Sequence, residues 1–299
     1  MLDQWEILLM APTSARLQSS LVKGRRALES LQSRDGSFAF FQQQPIDHAF
    51  MPGGPPTDPL FATLTVLLAA GDQLSKPSLE RAVMSIAIRR GADGHWNYDP
   101  ALGIPSDSDD TACALAVLAR FSPEQIRVSD AKMLRSYWRS PAGPFRTWNS
   151  QELPWDRSDR DDVVVNCNVA YALKCMGAPL NRAERCCLES MLSMADQRSR
   201  YYCSVLTVGY AARRAGFDPY LSKCVRLASS ALSLNSLEMA QSLLIAGGQD
   251  ASLSDALLTG QASDGTWPAA PWCDGEGFRP WGSRAITTAL CLEALQQLK

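Results

Sequence analysis

Apolar positions recur at helical intervals through most of the chain. Sustained alternation of apolar and polar residues, the mark of a half-buried strand, is nearly absent. The helical runs are of two kinds that alternate. In the first kind the apolar residues keep to a stripe. Leu17, Leu21, Leu28 and Leu31 share one face before Asp35-Gly36, and Leu79, Val83, Ile86 and Ile88 precede Gly91. Stretches 124–137, 181–194, 220–231 and 253–258 read the same way. The second kind is apolar almost all round, as expected of a helix with no solvent face. Six stretches qualify: 59–70, 109–119, 163–176, 203–212, 237–246 and 283–298. Six striped helices alternating with six buried ones predict an all-α (α/α)6 toroid, an inner ring of six helices inside an outer ring of six, in one domain over residues 1–299. Neither a four-helix bundle nor an open solenoid accounts as well for six fully apolar helices.

Short motifs recur at the junctions. Gln32-Ser-Arg-Asp35-Gly36-Ser37-Phe38 matches Gln261-Ala-Ser-Asp264-Gly265-Thr266-Trp267. Gly91-Ala-Asp93-Gly94-His95-Trp96 is a copy without the Gln, and Ser140-Pro-Ala-Gly143-Pro-Phe145 a worn fourth. Asp-Gly turns the chain after an outer helix. The aromatic then packs on the neighbouring helix pair, and the Gln can bond exposed backbone groups. This reads as a structural staple.

A further motif, Asp107-Ser108-Asp109-Asp110-Thr111-Ala112, opens the second buried run. Together with the Gln-x-x-Asp-Gly-x-Trp/Phe repeats, it resembles the squalene-hopene cyclase and class II terpene cyclase superfamily, with its DxDDTA motif on an (α/α)6 domain. Protein prenyltransferase β subunits share that toroid. Triterpene cyclases have two such domains, whereas this chain has room for one. The resemblance therefore implies cyclisation of an isoprenoid, or an isoprenoid-tailed compound, shorter than squalene. It also implies that Asp109 protonates a terminal alkene, with Asp107 and Asp110 as supporting carboxylates. A protein prenyltransferase would need Asp, Cys and His zinc ligands with the His late in the chain. The only histidines are His48 and His95, and Cys203 reads as a packed thiol.

The residues carry the same chemistry independently. An ordinary Asp, with a pKa of about 3.9, is almost wholly ionised at pH 7. Three carboxyls within four positions, if enclosed, cannot all ionise comfortably: repulsion and desolvation raise at least one. The helix N-terminus opposes this by favouring the anion. Ser106-x-x-Asp109 also has the spacing of a capping box, so capping stands beside the acid role. A second cluster, Asp159-Arg160-Asp161-Asp162, interleaves with arginines and reads as a solvated, ion-paired loop, with diphosphate or Mg²⁺ contact as its functional alternative. No cofactor is expected, Mg²⁺ entering only if the substrate is a diphosphate.

A carbocation needs unreactive walls, and aromatic faces stabilise a cation by about 0.5–2 kcal/mol each. Phe61, Trp155, Tyr201, Tyr202, Phe278 and Trp281 lie near the starts of inner helices, with Tyr171 deeper. Asn166 and Asn168 on the third buried helix, or His48, could orient the acid by hydrogen bonding. Two other classes stay open. One is a non-catalytic module that binds an isoprenoid or a protein. The other is a carbohydrate-active enzyme with Asp109 facing Asp161 or Asp162 at about 5–10 Å across a polar cleft.

Composition narrows the field. Within 299 residues, 29 basic residues are balanced by 31 acidic ones without a basic block, which disfavours nucleic acid as a partner. The apolar runs are about half the length of a membrane span. Nine cysteines without a CxxC pair suggest reduced thiols. With no basic flank before the first apolar stretch, the reading expects a cytoplasmic protein. Peripheral contact with the inner membrane face, for capture of a greasy substrate, and oligomeric state are left open.

Overall fold

A computed structural model describes residues 4–43, 60–98, 105–139, 143–149, 161–194, 198–217, 234–248, 250–273 and 279–299. Among them, six helices form the inner ring: α2 (Leu60–Ala70), α4 (Ser108–Phe121), α6 (Val163–Cys175), α8 (Val205–Ala215), α9 (Ser236–Ala246) and α11 (Arg284–Gln296). Each packs on the next, and α11 returns to α2, so the ring closes. Every residue of α2 is buried, as are nearly all of α4 and α6. Fully burying a Leu or Val side chain contributes about 1.5–3 kcal/mol, which outweighs the weak helix propensity of the Val, Thr and Asn residues here.

The outer helices are α1 (Gln4–Ser30), α3 (Lys76–Ala87), α5 (Asp130–Arg135), α7 (Arg182–Ser193) and α10 (Ala251–Thr259). They follow the expected stripes with two differences. The stretch 124–137 contains only the short α5, preceded by a 3-10 turn at Pro123–Gln125. The stretch 220–231 lies outside the described residues. The apolar residues join in one core cluster that runs through both rings. No helix among the described residues is long and apolar enough to cross a membrane.

The junction motifs act as staples. Gln32 Nε2 donates to the Gly36 carbonyl of its own turn (3.0 Å) and to the Ser78 carbonyl of α3 (2.8 Å). Gln261 Nε2 does the same with Gly265 (2.9 Å) and with Ser20 of α1 (3.0 Å). In the copy without Gln, Arg90 Nε reaches the Gly94 carbonyl at 3.1 Å. Each aromatic is fixed through its backbone N–H by a side chain of an inner helix. Phe38 donates to Thr63 (3.0 Å), Trp96 to Thr111 (3.1 Å) and Trp267 to Thr288 (3.2 Å). In the worn copy Phe145 donates to Asn166 Oδ1 at 2.8 Å.

Strand signals are nearly absent from the sequence, yet a small antiparallel sheet is present, in the order β1 (Phe41–Gln42), β3 (Trp281–Gly282), β2 (Pro271–Cys273). Its strands are two or three residues long, too short for a period-2 pattern to register.

Candidate active site

The Asp motif starts α4 inside the ring. The helix cap is Asp107, not Ser106: its Oδ1 accepts from the Asp110 N–H at 2.7 Å. Ser106 uses its backbone carbonyl instead, accepting from Asn149 at 2.8 Å. Capping and enclosure therefore coexist, for Asp107, Asp109 and Asp110 are all buried. Burial and the neighbouring Asp109 charge both push Asp107 up.

Asp109 points towards the opposite elements. Its Oδ1 accepts from Asn168 Nδ2 of α6 at 2.7 Å, and its Oδ2 from the Tyr202 hydroxyl at 2.7 Å. Burial pushes its pKa up to about 6, against the pull of these two bonds. The Asp162 charge adds to the rise and the Arg214 guanidinium opposes it. An acid with that pKa keeps a usable protonated fraction near neutrality and stays strong enough to give the proton away.

Asn168 and Tyr202 line a narrow cleft inside the ring, together with Cys113, Tyr210, Arg214 and Trp272, with a free volume of about 10 Å³. A file of aromatic rings runs past it. Trp281 meets Phe40 at 5.7 Å between ring centres, Phe40 meets Phe61 at 5.9 Å, and Phe61 meets Tyr202 at 5.9 Å. Tyr202 then meets the edge of Trp272 at 5.5 Å, and Tyr98 sits beside Phe61 at 6.4 Å.

Of the residues singled out from sequence, the fold gathers Asp107, Asp109, Asp110, Asn168, Tyr202, Phe61 and Trp281 around this end of the ring. It separates others from the acid. Asn166 serves the fourth staple, bonding Phe145 through both ends of its amide. Tyr201 accepts from Trp148 Nε1 at 3.3 Å, and Tyr171 stacks on Arg214. Trp155, Phe278 and His48 lie outside the described residues. His95 is buried in the third staple, with Nδ1 2.7 Å from the Tyr137 hydroxyl.

The expectation of a solvated loop at 159–162 is corrected for Asp162, which is 2% exposed and caps α6. Its Oδ1 accepts from Val164 and Val165, and its Oδ2 from Ser199 and Arg200. Asp161 pairs with Arg139 at 3.3 Å, while Asp159 and Arg160 lie outside the described residues. Both oxygens of Asp162 are thus committed, which removes it as the second carboxylate of a glycosidase pair. Cys203, expected as a packed thiol, is exposed. Sequence reasoning missed Arg214, Phe40, Tyr98 and Trp272. The three aromatics each follow a staple motif by a few residues, a signal that position alone could have supplied.

No protein-family model matches the sequence, and no curated protein does. Solved structures do. A variant of the type II terpene cyclase MstE from Scytonema, in complex with geranylgeranyl dihydroxybenzoate, is similar over 97% of this chain and 99% of its own, with a TM-score of 0.72 at 15% identity. The ent-copalyl diphosphate synthase from Streptomyces platensis is similar over 80% of this chain and 50% of its own (TM-score 0.58, 18% identity). An alpha-amylase from Clostridium perfringens is similar over 94% of this chain and 98% of its own (TM-score 0.57, 11% identity). The chain has the helical toroid fold of these proteins. Because a terpene cyclase and an amylase share it, the fold does not choose the chemistry.

Proposed function

We propose that the protein is a protonation-initiated, class II terpene cyclase acting on an isoprenoid or isoprenoid-tailed substrate shorter than squalene. The observation that carries the reading is Asp109. It is a buried carboxyl with a raised pKa, held by Asn168 and Tyr202 beside an aromatic-lined cavity. The MstE structure with a geranylgeranyl-tailed aromatic supports a substrate of that class.

In this reading Asp109 transfers its proton to the terminal alkene of the folded chain. The C=C π electrons form the new C–H bond and leave a tertiary cation. Internal alkenes attack in turn, each forming a C–C bond and passing the charge inward. Loss of a proton or capture of water ends the sequence. The rings of Tyr202, Trp272 and Phe61 offer π faces to the migrating charge. Tyr202 and Asn168 stabilise the Asp109 carboxylate as the proton leaves. Asp107, raised by burial and by the Asp109 charge, can hold a further proton beside it. The chemistry draws on the chain's own carboxyls and asks for no cofactor.

The test is incubation of the wild type and Asp109→Asn with linear prenyl diphosphates and prenylated aromatics, followed by chromatography and mass spectrometry. The wild type should yield a product of unchanged mass, or one water heavier, at a new retention time. Asp109→Asn should bind the same substrate and give no product, because an amide has no proton acidic enough to deliver to carbon. Equal rates in the two proteins would show that the proton comes from elsewhere.

A further inference from the structure

We propose that Arg214 is a positioning residue for Asp109, fixing the Asn168 amide so that its NH2 end, and never its carbonyl, faces the acid. The inference rests on the cyclase reading. Arg214 sits in the last turn of α8, with its guanidinium directed into the ring. It lies between the Tyr171 ring (5.1 Å) and the Tyr210 ring (5.0 Å), and its Nη2 donates to Asn168 Oδ1 at 2.6 Å. Asn168 Nδ2 in turn donates to Asp109 Oδ1 at 2.7 Å.

The two ends of an amide are almost the same size, so packing alone does not choose between them. Beside a protonated Asp109, the reversed amide would offer its carbonyl to the acid's O–H. That bond would hold back the proton the alkene must receive. A guanidinium has no acceptor atom, so the Asn168 NH2 group cannot face it, and the reversed amide is excluded. Tyr202 likewise donates to the other oxygen. Both contacts favour the carboxylate that remains after transfer, and neither requires the acid's proton.

The cost of keeping a cation in the ring also points to a role. Arg214 Nε is buried with no hydrogen-bond partner, where a Leu or Met would pack without penalty. The two tyrosine faces lie against the guanidinium and stabilise its charge where it lines the cleft. Glu293 of α11, hydrogen bonded by Tyr210 at 2.7 Å, and Cys113 of α4 are the other titratable groups around Arg214. Among the described residues, the charged and titratable groups that face Asp109 are Asp107, the cap of its helix, Asp110, Cys113 one turn on, Asp162, the cap of α6, Tyr202 before α8, and Arg214.

The experiment compares Arg214→Gln, Asn168→Ala and the double variant with wild type. One readout is turnover of a cyclised substrate from pH 4.5 to 8.5. The other is ¹³C NMR titration of Asp109, assigned by its loss in Asp109→Asn. Each single variant should lower kcat roughly 10- to 100-fold with little change in KM, and the double should be no worse than the poorer single. Asp109 acts when protonated, so activity falls as pH rises through its pKa. Loss of the Arg214 charge should move that falling limb, and the NMR titration, upward by about one pH unit. Wild-type turnover in Arg214→Gln, an unmoved limb, or single losses that multiply in the double would overturn the proposal. If Arg214→Gln does not fold, Asn168→Ala decides: wild-type turnover and an unmoved titration there overturn it equally. If the wild type cyclises nothing, the cyclase reading fails, and the titration still reports on the relay.

Discussion

At the scale of single residues the site is a balance of opposed effects on one carboxyl. Burial and the Asp162 charge raise Asp109, while Asn168, Tyr202 and Arg214 lower it, and burial wins. The balance has a consequence for stability. The folded pKa of about 6 lies above the ordinary value of 3.8, so the fold disfavours ionisation. That penalty is absent below about pH 4 and complete above the folded pKa, where it amounts to roughly 3 kcal/mol. Asp109→Asn should therefore melt higher than wild type at pH 8, with the difference vanishing at pH 4, as differential scanning calorimetry at the two pH values would show. Tyr202→Phe keeps the ring but removes the hydroxyl that favours the carboxylate. It should raise the Asp109 pKa and lower kcat roughly 10-fold while leaving the product mixture unchanged, read from rate profiles and chromatography.

At the scale of elements the staple motifs join an outer helix to the inner ring through a turn that only glycine fits. Gly36 has a φ of +92°, and a Cβ there would meet the Arg81 carbonyl oxygen at 2.2 Å. Gly265 has a φ of +88°, with the Lys23 carbonyl oxygen at 2.6 Å. Gly94 shares the conformation but faces the flexible Met133 sulfur at 3.1 Å. Gly36→Ala and Gly265→Ala should each cost roughly 2–4 kcal/mol, and Gly94→Ala about 1–2 kcal/mol, measured by urea denaturation. Thr288→Val strands the buried Trp267 N–H and should cost about 1–3 kcal/mol by the same assay.

At the scale of the molecule the ring closes the first helix onto the last. Ser20 of α1 exchanges two hydrogen bonds with Gln261, and Arg16 pairs with Asp255 at 2.7 Å. A Cβ on Gly24 would meet Leu292 of α11 at 2.8 Å and the Trp267 ring at 3.1 Å. An open solenoid frays from its ends, whereas a closed ring gives every inner helix two neighbours. Unfolding should therefore be concerted. Far-UV circular dichroism and tryptophan fluorescence should give one urea midpoint, and Gly24→Val should lower both together. Separate midpoints would mean that the closure carries little of the stability.

The sequence by itself determined the double ring, because a helix with no polar face must be enclosed and a striped one must cover it. It also picked out the three carboxyls at the head of an apolar helix, and it marked the staples through their Asp-Gly turns. The tertiary structure decided what surrounds the acid. Asn168 and Tyr202 reach Asp109 across separations of 59 and 93 residues. Nothing in the spacing of Asn166 and Asn168 tells which one faces the acid. That depends on the register of α6 against α4, which turns Asn166 to the Phe145 staple and Asn168 to the cavity. Asp162 likewise became a buried cap only because Ser199 and Arg200 return to its second oxygen. Periodicity reports how much of a side chain is buried; which partners it meets is fixed only when distant segments close the ring.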